Sequence, residues 1–181
     1  MDRNQPYDTT NAAPSDANGG VTRFPTEQYA DCPVPLMPLS YDWAALKTKI
    51  DAMKPTGNTN TTIGLEWGWH SLTQGAPLNA PPEDSNYTYK KVIIFLTDGQ
   101  NTENRWEDEQ TKIDARMTAA CANAKAAGIT IYTILVMQGS ESLLKPCASS
   151  PSMYFKITAA DQLVTVFNQI GTQMSHLRVM K

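Results

Sequence analysis

The chain has 181 residues, of which 41% are hydrophobic, so it has enough apolar side chains for one domain with a buried core. Its net charge of −3 excludes the basic surface with which nucleic-acid-binding domains attract phosphates, and we expect no nucleic acid partner. No apolar run is long enough to span a membrane, and residues 1–30 lack the apolar core of a signal peptide. The chain therefore either stays in the cytoplasm or lacks its targeting segment.

The first part of the chain is predicted to be irregular. Residues 1–39 are rich in Pro, Asn, Asp, Gly and Ser and keep no period of 2 or 3.6 residues. A domain is predicted over residues 40–181. Its first helix begins after Ser40, the predicted N-cap, and ends near Met53, before Pro55.

A polar turn and a second helix follow. The turn has the sequence GNTNTT at residues 57–62, and the helix continues to about Leu72. The simplest role for Thr59 or Thr61 is to cap this helix by accepting hydrogen bonds from its first amides. Residues 74–89 are rich in Pro and Asn and predict a loop.

The clearest prediction of a secondary-structure element comes from the apolar run VIIFL at residues 92–96. An unbroken run of β-branched and aromatic residues predicts a strand of a parallel sheet that is buried on both faces. The strand ends in Thr97-Asp98-Gly99, where Gly99 permits a sharp turn. Asp98 therefore lies at the carboxyl end of a central strand, where open α/β sheets place their ligand sites. Alternatively, its carboxylate caps the turn by accepting from backbone amides.

The remaining elements alternate between helix and strand. Residues 103–108 form a polar loop with Trp106, which would recognise a ligand if exposed and anchor the loop if buried. A helix is predicted over residues 109–127, and the run ITIYTILVM at residues 129–137 predicts a second buried strand. A loop or short helix precedes a third strand at residues 153–158. The last helix, at residues 161–178, has an apolar stripe made of Leu163, Phe167, Ile170, Met174 and Leu177.

The chain has three cysteines, Cys32, Cys121 and Cys147, none of them in a CxxC pair, and its two histidines are far apart. A zinc site is therefore not expected, and either one disulfide with one orphan thiol or three reduced thiols fits the count. The sequence also lacks the glycine-rich motifs of nucleotide-binding loops and the GxSxG elbow of hydrolases.

Two loops place small oxygen ligands at the same predicted edge of the sheet, and hard cations such as Mg²⁺ prefer such oxygens. The pair resembles the metal-ion-dependent adhesion site of von Willebrand factor A (vWA) domains. In that family a G-x-T-x-x-x-x-G-L turn supplies a threonine, and a strand that ends in T-D-G supplies an aspartate. Thr59 and Asp98 match these positions.

Blocks along nearly the whole chain resemble TadG-type proteins of the TadE/TadG family, which take part in Flp (tight-adherence) pilus assembly. They are PYDTTNAAPS at 6–15, LKTKIDAMKPTGNTNTTIGLEWGW at 46–69, the TDG strand, AAGITIYTILVM at 126–137 and QLVTVFNQIGTQMSHLRV at 162–179. The resemblance implies a bacterial cell-adhesion module in the periplasm or cell envelope, behind an amino-terminal transmembrane anchor. It also implies a non-enzymatic domain that binds a protein partner of the pilus machinery or envelope.

The chain departs from the family in one motif. DxSxS, which supplies a carboxylate and two hydroxyls, occurs nowhere in it. We therefore expect an α/β fold with an incomplete vWA-like parallel sheet and flanking helices, with Met1 inside the domain and the membrane anchor missing. Mg²⁺ is expected to bind in the intact parent protein and weakly or not at all here, because Thr59 and Asp98 offer one hydroxyl and one charge.

The missing strand would lie beside the TDG strand, so the strand at residues 91–97 is expected to have an open edge. Either a homodimer forms through this edge or residues 1–39 cover it. Partner recognition is expected in the loops around Thr59 and Asp98, with Asn101, Thr61 and Trp106 as contact residues.

An oxidising compartment favours a disulfide between Cys121 and Cys147, with Cys32 having lost an upstream partner; buried free thiols are the alternative. Two other functions stand beside adhesion. One is a structural remnant without a metal site. The other is Mg²⁺-dependent phosphoryl transfer with Asp98 as nucleophile or metal ligand, which usually requires a second carboxylate two residues away, where this chain has Leu96.

Overall fold

The computed structural model describes residues 34–103 and 108–176. The chain divides into two compact units. Among the described residues, the first comprises residues 34–36 and 42–57, and the second comprises residues 37–41, 58–103 and 108–176.

Helix α1, in the first unit, spans Trp43–Asp51. Its N-cap is Asp42, whose extended backbone lets a carboxylate oxygen accept from the amide of Ala45 at 2.9 Å. The predicted cap at Ser40 was therefore wrong by two residues, because an aspartate further along the chain can reach the first turn.

The second unit contains a parallel sheet. Its strands are β1 at Val92–Thr97, β2 at Thr130–Val136 and β3 at Tyr154–Ile157. Among the described residues the strand order is β1-β2-β3, so that β2 is central. Phe95 of β1 lies opposite Thr133 of β2, which in turn lies opposite Tyr154 of β3.

Helices flank this sheet, which confirms the predicted α/β class. They are α2 at Thr61–Ser71, α3 at Gln110–Ala126, α4 at Glu141–Cys147 and α5 at Leu163–His176. Short 3₁₀ turns occupy Pro151–Met153 and Ala160–Gln162. None of the helices in the described ranges combines the length and apolar content that a membrane crossing requires.

The two faces of β2 carry separate apolar clusters, as its alternating side chains dictate. On one face the sheet packs against α2, α3 and α4, with Ile131, Leu135, Ile93, Phe95, Leu65, Met117, Cys121 and Leu144 among the buried residues. On the other face it packs against α5, with Tyr132, Ile134, Val136, Ile157, Val166 and Ile170. Each such fully buried side chain contributes about 1.5–3 kcal/mol to folding.

Strand β1 is buried on one face and only partly covered on the other, so its predicted burial on both faces was wrong. Ile93 and Phe95 are buried, but Ile94 and Leu96 are 36% and 42% exposed. The reason is the position of α5, whose Val166 and Ile170 join the cluster of β2 and β3. Val92 packs against this cluster, but Ile94 and Leu96, further along the same face of β1, stay exposed.

Helix α5 packs through a narrower stripe than the sequence predicted. Val166 and Ile170 are buried and Leu163 is half-buried, whereas Phe167 is 45% exposed. Residues at i, i+3 and i+7 thus face the sheet, so the buried stripe contains Val166 where the prediction had Phe167. Leu177 lies outside the described residues.

Cys121 of α3 and Cys147 at the end of α4 form a disulfide, with Cα atoms 5.2 Å apart. Both side chains are buried. Lys125, one turn further along α3, donates from Nζ to the carbonyl oxygen of Pro146 at 2.6 Å. The end of α4 is therefore tied to α3 by a covalent bond and by charge-assisted hydrogen bonds from Lys125 to the carbonyl oxygens of Pro146 and Ala148. Cys32 lies outside the described residues.

Candidate functional site

An open cavity of about 440 Å³ lies at the carboxyl edge of the sheet in the second unit. The start of α2, the end of β1, the end of β2 and the start of α5 surround it. The lining residues are Thr59, Asn60, Thr61, Gly64, Phe95, Leu96, Thr97, Asp98, Val136 and Leu163. Thr59 and Asp98, which come from separate loops, therefore line the same cavity.

The loop after β1 turns at Gly99, and the hydroxyl of Thr97 organises this turn. Its Oγ1 accepts from the amide of Gly99 at 3.3 Å. Asp98 lies between these residues and is exposed. The amide of Gly99 in this turn therefore donates to Thr97 rather than to Asp98. The carboxylate of Asp98 lies at the mouth of the cavity.

The polar turn before α2 pairs with the end of the β1 loop. The amide of Thr59 donates to Oγ1 of Thr102 at 2.8 Å, and the amide of Thr102 donates to the carbonyl oxygen of Thr59 at 3.0 Å. Asn58 adds two side-chain bonds, donating to Glu103 and accepting from Oγ1 of Thr102. These contacts hold the backbone of Thr59 against the loop that carries Asp98.

Asn101 joins the same loop to two helices and is only 2% exposed. Its Oδ1 accepts from the amide of Thr61 at 2.8 Å and from Oγ1 of Thr61 at 2.7 Å. Its Nδ2 donates to Oδ1 of Asp114, on α3, at 2.7 Å. Since the N-cap residue Asn60 makes no side-chain cap bond, the side chain of Asn101 caps α2 from another loop.

Three other residues, Asn101, Thr61 and Trp106, were predicted to contact a partner. Asn101 points into the protein, and the hydroxyl of half-buried Thr61 is bonded to it. Trp106 lies outside the described residues. The exposed predicted residues at the cavity are therefore Thr59 and Asp98.

The described residues do not by themselves fit a tight cation site. Within residues 34–103 and 108–176, no group of three or more His, Cys, Asp or Glu side chains is placed to hold a metal. At the cavity Thr59 and Asp98 offer one hydroxyl and one carboxylate, whereas Mg²⁺ requires six oxygens in octahedral geometry and dehydrates reluctantly. A cation here would need further oxygens from water, from a partner or from other residues.

Sequence reasoning missed Gly139, in the loop after β2. A Cβ atom at this position would lie 2.6 Å from Cδ1 of Leu135 and 3.1 Å from the carbonyl oxygen of Gly99. The loops after β1 and β2 thus touch at a point that has no room for a side chain. The sequence did show a glycine soon after a predicted strand. It could not show that this glycine contacts Gly99, which lies 40 residues away in the chain.

Residues 15–169 match the von Willebrand factor type A domain family. The chain belongs to this family. None of the curated proteins matches the chain significantly. The matched region includes the cavity, so its loops are loops of a vWA domain.

Several solved structures are similar to this chain. Pilus adhesin SpaC from Lactobacillus rhamnosus GG is 17% identical with a TM-score of 0.50, over 71% of this chain and 21% of that chain. Proximal thread matrix protein 1 from the mussel byssus is 24% identical with a TM-score of 0.47, over 70% and 27%. A second structure of that mussel protein, with a zinc-occupied MIDAS motif, is 25% identical with a TM-score of 0.48, over 70% and 28%. The chain thus spans about a quarter of the solved chains that it matches.

Proposed function

We propose that this vWA domain is the non-enzymatic protein-binding module of a TadG-like Flp pilus assembly protein in the bacterial cell envelope. The observation that carries the proposal is that two exposed polar residues from separate loops, Thr59 and Asp98, line the same cavity. They occupy the positions that the adhesion-site motif of the family assigns to a threonine and an aspartate. The TadG-like blocks along the sequence support the role in pilus assembly.

The geometry of the site suits recognition of another protein. The amides of Thr59 and Thr61 donate hydrogen bonds to the side chains of Thr102 and Asn101, and these bonds hold both loops in place before a partner arrives. Such preorganisation reduces the entropy lost on binding. The mouth of the cavity carries the carboxylate of Asp98, and its wall includes apolar Phe95 and Leu163. We propose a partner that presents a cation or basic side chain to Asp98 and an apolar side chain to the wall.

The test replaces Asp98 with alanine in the native gene and counts pili on the cell surface. We expect fewer pili at an unchanged level of the protein, because the substitution removes an exposed carboxylate without disturbing the core. The matched control is Glu83→Ala, which removes an exposed carboxylate that pairs with Lys91 near the amino end of β1 at 2.9 Å. Normal pili in the Asp98 variant, or equal losses in both variants, would contradict the proposal.

The metal is a separate part of the proposal. We propose that a divalent cation such as Mg²⁺ completes the contact only with oxygens from outside the described residues, and that this chain alone binds it weakly or not at all. Calorimetric titration with MgCl₂ should give no tight binding. Micromolar affinity that disappears in Asp98→Ala would show that the chain holds a complete site.

We propose no catalytic role for Asp98, because Leu96 stands where phosphoryl-transfer chemistry usually requires a second carboxylate. A phosphatase assay with Mg²⁺ should therefore show no turnover. Activity that is lost in Asp98→Ala would favour the enzyme over the binding module.

Within the part of the chain that the structure describes, no strand pairs with the outer edge of β1, which supports a homodimer through this edge. In an antiparallel pair, residues opposite each other lie on the same face of the sheet. Pairing about Ile94 therefore places Val92 opposite Leu96, which joins apolar side chains across the edge. Sedimentation should show a dimer that Ile94→Lys dissociates. A monomeric wild-type chain would instead favour cover of this edge by residues 1–39.

A further inference from the structure

We infer that Asn101 is a positioning residue that holds the loops of Thr59 and Asp98 at the separation the binding site requires. This inference rests on the proposed function for the purpose of the site, but the geometry of the link stands independently of it. Asn101 is buried and makes its three side-chain bonds within the domain.

The chemistry of the link requires an amide side chain. One oxygen accepts two hydrogen bonds from Thr61, while the nitrogen of the same group donates to the carboxylate of Asp114. A leucine of similar size offers neither function, and an aspartate would direct a second carboxylate at Asp114. The side chain therefore connects a helix start, which needs an acceptor, with a carboxylate, which needs a donor.

The tethers on both sides of this link are short. Asn101 follows Asp98 by three residues, and Thr61 follows Thr59 by two. The residue after Asn101 makes the second link, since Thr102 exchanges two hydrogen bonds with Thr59. Two adjacent attachment points restrict both the distance and the rotation between the loops, which a single bond would not.

Asp114 supplies the fixed end of the link. It lies on α3 one residue after buried Ile113 and three residues before buried Met117. The same helix carries Cys121, which the disulfide joins to α4. The hydrogen bond from Asn101 to Asp114 thus fixes the loops around the cavity to α3. Helix α3 is itself held by its buried residues in the core and by the disulfide to α4.

Amide hydrogen exchange, resolved by residue, tests the inference with a charge-swap cycle. Asn101→Asp places two carboxylates together and should accelerate exchange at the amides of Thr59, Thr61 and Thr102 roughly tenfold or more, because those amides donate within this link. In the double variant Asn101→Asp with Asp114→Asn, the new carboxylate at position 101 accepts from Thr61, and the new amide at position 114 donates to that carboxylate. Its loop exchange should return to within about threefold of wild type.

The amides of β2 are the internal reference and should keep wild-type exchange rates in both variants. Thr133→Val is the matched control, because it removes another buried side-chain hydrogen bond, from Oγ1 of Thr133 to the carbonyl oxygen of Leu144 at 3.0 Å. That control should accelerate exchange in β2 and α4 while sparing the loops at the cavity.

Three results would overturn the inference: equal acceleration in β2 and the loops with Asn101→Asp, no acceleration in the loops, or no recovery in the double variant. The first result would show that Asn101 stabilises the whole domain rather than positioning these loops. This experiment needs no partner, so its failure is distinct from a failure of the pilus test. Normal pili with Asp98→Ala would remove the proposed function and leave the exchange result unchanged.

Discussion

Gly139 lies in a contact between two loops that leaves no room for a side chain at position 139, whereas a Cβ added at Gly99 would meet no atom within 4 Å. A Cβ at position 139 would lie only 2.6 Å from Cδ1 of Leu135 and 3.1 Å from the carbonyl oxygen of Gly99. The contact places the loop after β2 beside the turn that carries Asp98. A position that looks like an ordinary loop glycine therefore restricts the shape of the binding site.

We predict that Gly139→Ala lowers the free energy of unfolding by about 1–3 kcal/mol, because the added methyl group overpacks this contact. Urea denaturation measures the change. The matched control is Gly171→Ala in α5, where an added Cβ meets no atom within 4 Å. Since alanine is the better helix former, the control should raise stability by about 0.8–1 kcal/mol. Equal effects of the two substitutions would contradict the packing argument.

The contact between α4 and β3 is electrostatic at the surface. Glu141, in the first turn of α4, pairs with Lys145 one turn later at 2.7 Å and with Lys156 of β3. Lys145 also lies 5.4 Å from the ring centre of Tyr154. Hydrogen bonds from Lys145 and then from Lys156 lower the pKa of Glu141 to about 2.

This lowered pKa predicts a specific pH dependence. Because the pKa of Glu141 lies below its ordinary value of 4.5, its contribution to stability is complete above about pH 4.5 and disappears as the pH falls towards 2. Glu141→Gln should therefore lower the urea midpoint at pH 7, by a small amount because the pair is solvent-exposed. The difference from wild type should vanish near pH 2. A difference that persists at pH 2 would show that the effect comes from packing.

The disulfide and the sheet together determine how the second unit resists unfolding. Cys121 and Cys147 are 26 residues apart in sequence, and the loop they close includes β2, the central strand. In the chain-entropy account, a cross-link over such a loop stabilises the folded state by about 3 kcal/mol. The bond therefore secures the α3–β2–α4 segment, on which Asp114 and the loop after β2 both depend.

We predict that Cys121→Ser with Cys147→Ser lowers the free energy of unfolding by about 3 kcal/mol in chemical denaturation. Cys32→Ser, which keeps both partners of the bond, is the control and should not show that loss. Peptide mapping without reductant should recover Cys121 and Cys147 as one linked pair. Recovery of both as alkylated thiols would contradict the disulfide.

Local patterns determined much of this protein. Apolar runs predicted β1 and β2, helical spacing predicted α3 and α5, and the TDG motif placed Asp98 at the carboxyl end of a strand. These inferences succeed because they depend on neighbouring residues, through the periods of strand and helix and through turn chemistry. The match of Thr59 to a family motif also needed only the order of residues.

The tertiary structure alone decided which side chains meet. In the folded chain Asn101 caps α2, and the loop after β2 contacts Gly99. Ile94 and Leu96 of β1 remain exposed. Asn101 lies 40 residues from Thr61, and the exposure of Ile94 depends on where α5 crosses the sheet. Such contacts are formed between segments far apart in the chain, so the periodicity of either segment carries no record of them.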